Sequence, residues 1–93
     1  MKIRWTKRAE TSFEETIKYV EKEWGRKSAE RVIRKITNFL KILTEHPKAG
    51  KVEIEDKQIR SLVISRYNTV IYRIKNNYIV LLKIIDNRQR RRN

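Results

Sequence analysis

The sequence has no cysteine, one histidine, one proline and only two glycines among its 93 residues. Without cysteine the chain has no disulfide framework, no thiolate zinc site and no cysteine nucleophile. His46 has no second histidine to share a metal with, so we do not expect a metal site. Glycine occurs only at positions 25 and 50, which excludes the usual phosphate-cradling loops, and we expect no cofactor.

Long apolar segments are also missing. No run of residues approaches the length of a membrane span or of the apolar region of a signal peptide. We therefore predict a cytoplasmic protein without a membrane partner. A length of 93 residues with 39% hydrophobic content suffices for one core, so we expect one domain over residues 1–93.

Positive charge is in excess and is unevenly distributed. The chain has 24 Lys and Arg against 11 Asp and Glu, a net charge of +13. Residues 1–25 hold 6 basic and 5 acidic groups, whereas residues 51–93 hold 11 and 4. The electrostatic field of this charge distribution favours association with nucleic acid, a ribosome or an acidic protein, but it does not distinguish among them.

A short strand and two amphipathic helices are predicted in the N-terminal half. Ile3 and Trp5 alternate with charged residues, as in a strand, and Thr6 can cap a helix. The first helical stripe comprises Ala9, Phe13, Ile17, Val20 and Trp24. The second comprises Ala29, Val32, Ile33, Ile36, Phe39, Leu40 and Leu43. Since only Gly25 separates them, the helices should form an antiparallel hairpin.

The C-terminal half has the period of strands, over residues 59–65, 68–75 and 78–85. The last strand is almost entirely apolar and is predicted to be central and covered on both faces. The pattern predicts an α+β two-layer domain of order β-α-α-β-β-β. The helix hairpin should pack on one face of a small, mainly antiparallel sheet and leave the other face available for function.

A two-residue turn at Asn76-Asn77 should pair the last two strands. This register places Tyr72 opposite Leu81 and Val70 opposite Lys83. Residues 88–93 form a basic C-terminal tail, which we predict to be too polar for the core and mobile.

The candidate functional residues are mainly cations on or beside predicted strands. The target-binding candidates are Lys51, Lys57, Arg60, Arg66, Arg73, Arg88, Arg90 and Arg91, and the catalytic candidates are Arg60, Arg73, Lys83 and Arg88. Tyr67, Tyr72 and Tyr78 are interleaved, so the surface would suit phosphates and stacked bases. Arginines there would also stabilise charge on a scissile phosphate, and solvated side chains are the alternative. Glu53, Glu55 and Asp56 offer a general base or an ordinary acidic turn.

Six segments spread along the chain carry a family pattern. They are Ile3-Arg4-Trp5-Thr6-Lys7-Arg8-Ala9, Glu23-Trp24-Gly25, His46-Pro47-Lys48-Ala49-Gly50, Ile59-Arg60-Ser61-Leu62, Ile71-Tyr72-Arg73-Ile74 and Asp86-Asn87-Arg88-Gln89. In this order the chain resembles RelE/ParE superfamily toxins of bacterial type II toxin–antitoxin systems. The resemblance implies a toxin that a cognate, acidic antitoxin keeps silent.

The resemblance also implies two possible targets. One branch of the superfamily cleaves messenger RNA in the ribosome with basic residues, and the other poisons DNA gyrase without known hydrolytic chemistry. Arg60, Arg73 and Arg88 match arginines of the family. Where some nucleases place an arginine this chain has Thr69, and where they place a His-Tyr pair it has Asp86-Asn87.

These departures argue against nucleolytic activity, and the scarcity of candidate acid and base residues favours ParE-like inhibition of gyrase. A metal-independent, ribosome-dependent mRNA endoribonuclease is the alternative, and a nucleic-acid-binding module that is not a toxin is the third interpretation.

Overall fold

The computed structural model describes residues 1–90, and side chains up to Arg88. Its elements are β1 (Lys2–Trp5), α1 (Lys7–Trp24), α2 (Arg26–Glu45), β2 (Lys51–Ile54), β3 (Ile59–Val63), β4 (Asn68–Lys75), β5 (Tyr78–Asp86) and α3 (Asn87–Arg90). The predicted α+β architecture is confirmed. Strand β2 is an addition to the predicted order. It is not predicted because all four of its residues are exposed, so no buried face marks it in the sequence.

The five strands form one sheet in the order β1-β5-β4-β3-β2. β1 runs parallel to β5, and the other neighbours are antiparallel. The helix hairpin covers one face, where Ile36 and Leu43 of α2 pack with Tyr72, Ile79 and Leu81. The prediction that the last strand is covered on both faces is wrong. β5 is interior, but the residues of its other face are only half-buried, because no helix within residues 1–90 covers them.

Local hydrogen bonds fix both ends of α1. The Thr6 hydroxyl accepts from the backbone N–H of Ala9 at 3.1 Å and donates to the carbonyl of Leu81 at 2.7 Å, so the cap also ties α1 to β5. Gly25 has a φ of 92°, which favours glycine, and its N–H donates to Glu21. Its carbonyl accepts from Ala29, so one residue ends α1 and begins α2.

Two residues of the predicted apolar stripes are exposed. Trp24 is 52% exposed and Ile33 is 36% exposed. Trp24 packs edge-on against Tyr19 and over Arg88 at the rim of the domain instead. Within residues 1–90, no helix combines the length and apolar character that crossing a bilayer requires.

A β-bulge changes the predicted register of the last hairpin. Tyr72 lies opposite Leu81 as expected, but Val70 lies opposite Ile84 rather than Lys83. The register shifts where β5 gains one residue, Leu82. The bulge places Ile84, which is 2% exposed, in the core. It also moves Lys83 to the uncovered face, because burying an unpaired lysine would be costly.

Ser12 of α1 provides a hydrogen-bond partner for a backbone N–H next to this bulge. Its buried Oγ accepts from the N–H of Ile84 at 2.9 Å and donates to the carbonyl of Ala9 at 3.0 Å. We expect Ser12→Ala to lower the free energy of unfolding by about 1–3 kcal/mol, because the buried N–H loses this partner. Urea denaturation measures the change, with exposed Thr11→Ala as the control. Equal stability of the two variants would contradict the assignment.

Candidate functional site

The four catalytic candidates are divided between the two faces of the sheet. Arg60 lies opposite Tyr72 on the face that the helices cover. Arg73 lies opposite Ile59, and Lys83 opposite Ile71, on the uncovered face, which we call the open face. Arg60 therefore cannot join Arg73 and Lys83 around one substrate group, since the sheet lies between them.

Arg60 holds the turn between α2 and β2. Its Nη1 donates to the carbonyl of Gly50 at 2.9 Å and contacts that of Lys48 at 3.4 Å. Beside it, the hydroxyl of Tyr72 donates to the carbonyl of Pro47 at 2.7 Å and accepts from the N–H of Gly50 at 2.9 Å. The matched strand arginine is thus engaged with backbone oxygens of its own chain.

Tyr72 is fully buried, so the prediction that it belongs to a base-stacking surface is wrong. Burial raises the pKa of its hydroxyl above the usual value, while the backbone hydrogen bond of Gly50 and the charge of Arg60 lower that pKa in part. The fold therefore disfavours tyrosinate. The contribution of this group to stability is complete below the unfolded pKa near 10 and is lost as the pH rises through the higher folded pKa.

Arg88 is clamped where β5 passes into α3. Its Nη2 and Nε donate to the two carboxylate oxygens of Asp86 at 3.0 and 3.1 Å, and its backbone N–H donates to Oδ1 at 2.8 Å. The Asp86 side chain is 0% exposed and that of Arg88 is 15% exposed. The guanidinium lies over Trp24 and Tyr67, 5.0 and 4.4 Å from their ring centroids.

The expectation of a mobile tail beginning at residue 88 is therefore wrong at that residue. The buried carboxylate of Asp86 fixes Arg88, and Asn87–Arg90 form a helical turn. The side chain of Arg90 and all of Arg91 lie outside the described residues. Two target-binding candidates lie in loops, Lys57 between β2 and β3 and Arg66 between β3 and β4. Both are exposed.

A groove of about 660 Å³ lies next to Arg88, and we call it the α2 groove. Its apolar lining includes Val20, Val32, Ile36 and Ile64, and its cations are Arg31, Arg34, Lys35 and Arg88. Trp24 and Tyr67 lie at the same place and are partly exposed. The groove therefore combines an apolar lining with a basic rim.

The open face carries cations around an aliphatic centre. The open-face residues that lie opposite one another form four rows across the sheet, each read from β1 towards β2. The first row is Lys2, Tyr78 and Lys75, and the second is Arg4, Val80, Arg73, Ile59 and Ile54. The third row is Lys83, Ile71, Ser61 and Lys51, and the fourth is Ile85, Thr69 and Val63. Glu53 lies at the β2 bulge and its carboxylate accepts from the Ser61 hydroxyl at 2.6 Å. Of the four catalytic candidates, only Arg73 and Lys83 belong to this face.

The cations of the open face lack acidic partners in the described part of the chain. The Nε of Arg73 is shielded from solvent and has no hydrogen-bond partner. The guanidinium of Arg4 lies over the ring of Tyr78, 4.2 Å from its centroid. The sequence patterns do not predict Lys2, Arg4 and Lys75 as members of this surface. The alternation in β1 indicates that its charged residues face away from the core, but not that β1 lies beside β5.

Within residues 1–90, no three His, Asp or Glu side chains are grouped so that they could hold a metal ion. His46 is exposed at the C-terminal end of α2, and its backbone N–H donates to the carbonyl of Ile42. Glu53 is engaged with Ser61, and Glu55 and Asp56 are exposed in the turn between β2 and β3.

The sequence matches a model of one protein family along nearly its whole length. The family is described as the ParE toxin of the type II toxin–antitoxin system parDE, and the match covers residues 3–91. No curated protein matches the sequence.

Solved toxin structures share the fold. A chain of the chromosomal ParDE system from P. aeruginosa is 22% identical and superposes with a TM-score of 0.78, covering 92% of this chain and 95% of that one. A YoeB/ParE toxin from Agrobacterium tumefaciens is 17% identical, with a TM-score of 0.67 and coverage of 92% and 98%. A copper-bound mutant toxin from Helicobacter pylori is 13% identical, with a TM-score of 0.65 and coverage of 96% and 97%. The chain belongs to the ParE toxin family of type II toxin–antitoxin systems, within the RelE/ParE superfamily.

Proposed function

We propose that the chain is a toxin that inhibits DNA gyrase by binding it, without hydrolysing a substrate, and that a cognate acidic antitoxin silences it. The observation that carries this proposal is the separation of the catalytic candidates. Arg60 is engaged with backbone carbonyls, and Arg88 is neutralised by Asp86. Only Arg73 and Lys83 share a surface, and both are cations.

Cleavage of RNA without a metal requires a group that accepts or donates a proton within hydrogen-bond reach of the reacting oxygen. Arg73 and Lys83 can neutralise a phosphate, but arginine remains protonated in proteins and does not act as a base. Thr69 occupies the open face where some nucleases of the superfamily have an arginine. These positions support target binding more than hydrolysis.

The α2 groove supports the antitoxin part of the proposal. Its apolar lining and basic rim complement an amphipathic helix that carries acidic residues. Occupation of the groove would bury the exposed portions of Trp24 and Tyr67. A type II system supplies such a partner, because toxin and antitoxin are made together.

The experiment is expression of the gene alone and together with a neighbouring gene for an acidic protein. We expect growth arrest that the neighbour relieves. The purified toxin should block supercoiling of relaxed plasmid by purified gyrase, and it should leave messenger RNA intact on translating ribosomes. Harmless expression of the folded protein alone would contradict the toxin role.

Ribosome-dependent mRNA cleavage is the second candidate function, favoured by Arg73 and Lys83 on the open face. New messenger ends on ribosomes, with normal gyrase activity, would establish it instead. Salt-sensitive binding of nucleic acid without growth arrest would indicate a binding module that is not a toxin.

A further inference from the structure

The open face is long enough to be a docking surface for one short segment. Neighbouring strands lie about 4.8 Å apart, so the row from Arg4 on β1 to Ile54 on β2 extends over about 19 Å. A helix of about 13 residues, or a shorter extended chain, has this length. The neighbouring rows, about 7 Å away on each side, supply Lys2 and Lys83.

We propose that the open face binds an acidic protein segment that carries aliphatic side chains along one side, and that this segment is the part of the target which the toxin captures. The assignment of the segment to gyrase rests on the proposed function. The chemistry of the segment rests on the face alone, namely on cations without acidic partners around exposed and half-buried aliphatic residues.

Arg73 is the central anchor of this surface. Val80 lies beside it on β5 and Ile59 beside it on β3, so its guanidinium emerges between aliphatic side chains. The Nε of Arg73 is shielded from water and unpartnered. A carboxylate that approaches from outside would accept two parallel hydrogen bonds from the two Nη nitrogens of such a guanidinium, at reduced dielectric. An acidic residue between two aliphatic ones on the partner matches this arrangement.

Aliphatic rather than aromatic residues distinguish a protein partner from a nucleic acid. Proteins that bind single strands on a sheet stack bases on exposed aromatic rings. Tyr78 is the aromatic residue in the rows of the open face, and Arg4 covers its ring at 4.2 Å. Ile54 and Val63 are exposed instead, 43% and 65% respectively, and gain by burial against apolar side chains.

The first test uses the full chain and peptides, without gyrase. The probe is a synthetic peptide of about 14 residues with Glu and Leu at amphipathic helical spacing. The matched control peptide has Lys in place of Glu, and single-stranded oligouridylate represents nucleic acid. We expect the Glu peptide to shift the amide NMR signals of Ile71, Arg73 and Lys83, and the Lys peptide to leave them unchanged. Shifts confined to the α2 groove, no shifts, or shifts with oligouridylate alone would overturn the proposal.

The second test separates this inference from the proposed function. Arg73→Gln/Lys83→Gln should weaken binding to purified gyrase about tenfold, whereas Arg8→Gln/Lys41→Gln, with the same loss of charge on the helices, should change it less than about twofold. Ile54→Ser should weaken binding more than Val52→Ser, which alters the helix-side face of the same strand. Equal effects in each pair would overturn the docking surface.

Together, the two tests show whether a negative result contradicts the docking surface or the assignment of gyrase as the target. If the peptide binds the open face but gyrase does not bind the toxin, gyrase is the wrong target and the docking surface stands. If gyrase is inhibited equally by all variants, the proposed function stands and the docking surface is wrong. Circular dichroism of each variant confirms that it is folded.

Discussion

Gly50→Ala is expected to lower the free energy of unfolding by about 2–4 kcal/mol, because the new methyl group overpacks a filled site and displaces hydrogen-bonded atoms. A Cβ on Gly50 would lie 2.7 Å from the Tyr72 hydroxyl oxygen, 2.8 Å from the Ser61 carbonyl oxygen and 2.8 Å from Cε1 of Tyr72. Two of these atoms belong to a buried ring and one to the backbone of β3. None of them can move without disturbing the sheet.

The same site offers a check on this mechanism. Tyr72→Phe removes the hydroxyl that contacts Gly50 and Pro47, so it should cost about 1–3 kcal/mol by itself. In that background Gly50→Ala should cost less than in the wild-type chain, because one of the clashing atoms is gone. Urea denaturation of the four proteins measures the coupling, with exposed Ala49→Ser as the control. Strictly additive effects would contradict the steric explanation.

Asp86→Ala is expected to lower the free energy of unfolding by about 2–4 kcal/mol, since it leaves the guanidinium of Arg88 without its counter-ion. We place the effect below that of a fully buried pair because 15% of the Arg88 side chain is exposed. The Asp86 carboxylate also accepts the backbone N–H of Arg88, which opens α3, so the substitution should loosen the last turn.

The double variant Asp86→Ala/Arg88→Ala provides the control. Removing both partners should recover part of the lost stability, because no unpaired charge remains. The two measurements are the thermal unfolding of each variant and the hydrogen exchange of the backbone amide at position 88. If Arg88→Ala alone is as damaging as Asp86→Ala and the double variant is worse than either, the clamp is not a coupled pair.

The sequence predicts well those features that depend on neighbouring residues. The helical stripes, the cap at Thr6 and the change of helix at Gly25 all follow from spacings of one to four residues. The turn at Asn76-Asn77 likewise sets the register from Ile74 to Tyr72. Each of these choices is made locally, so the pattern carries the information directly.

Features that depend on distant parts of the chain were missed. The bulge at Leu82 arises because Ile84 fits the core and Lys83 does not, a comparison that requires the helices to be in place. Trp24 follows the helical stripe but packs on Arg88, which is 64 residues away along the chain. Spacing within one segment does not report such competition.

The candidate site illustrates the same limit. Residue types identified Arg73 and Lys83 as surface cations, but not that Arg60 points to the opposite side. That distinction follows from the strand register, since side chains alternate between faces. The roles of Asp86 and Arg88 depend on Trp24 of α1, over whose ring the guanidinium of Arg88 lies. The sequence therefore predicts the basic character of the site better than it predicts which residues belong to the site.

Strand β2 has a consequence for how the protein behaves at high concentration. It forms an outer border of the sheet, and a flat, apolar border exposes free backbone groups that recruit further strands from other molecules. Here the bulge between Val52 and Ile54 interrupts the ladder, and Lys51 and Glu53 place charges on the border. These features oppose growth of the sheet into fibrils, while the aliphatic side chains on its two faces stay accessible.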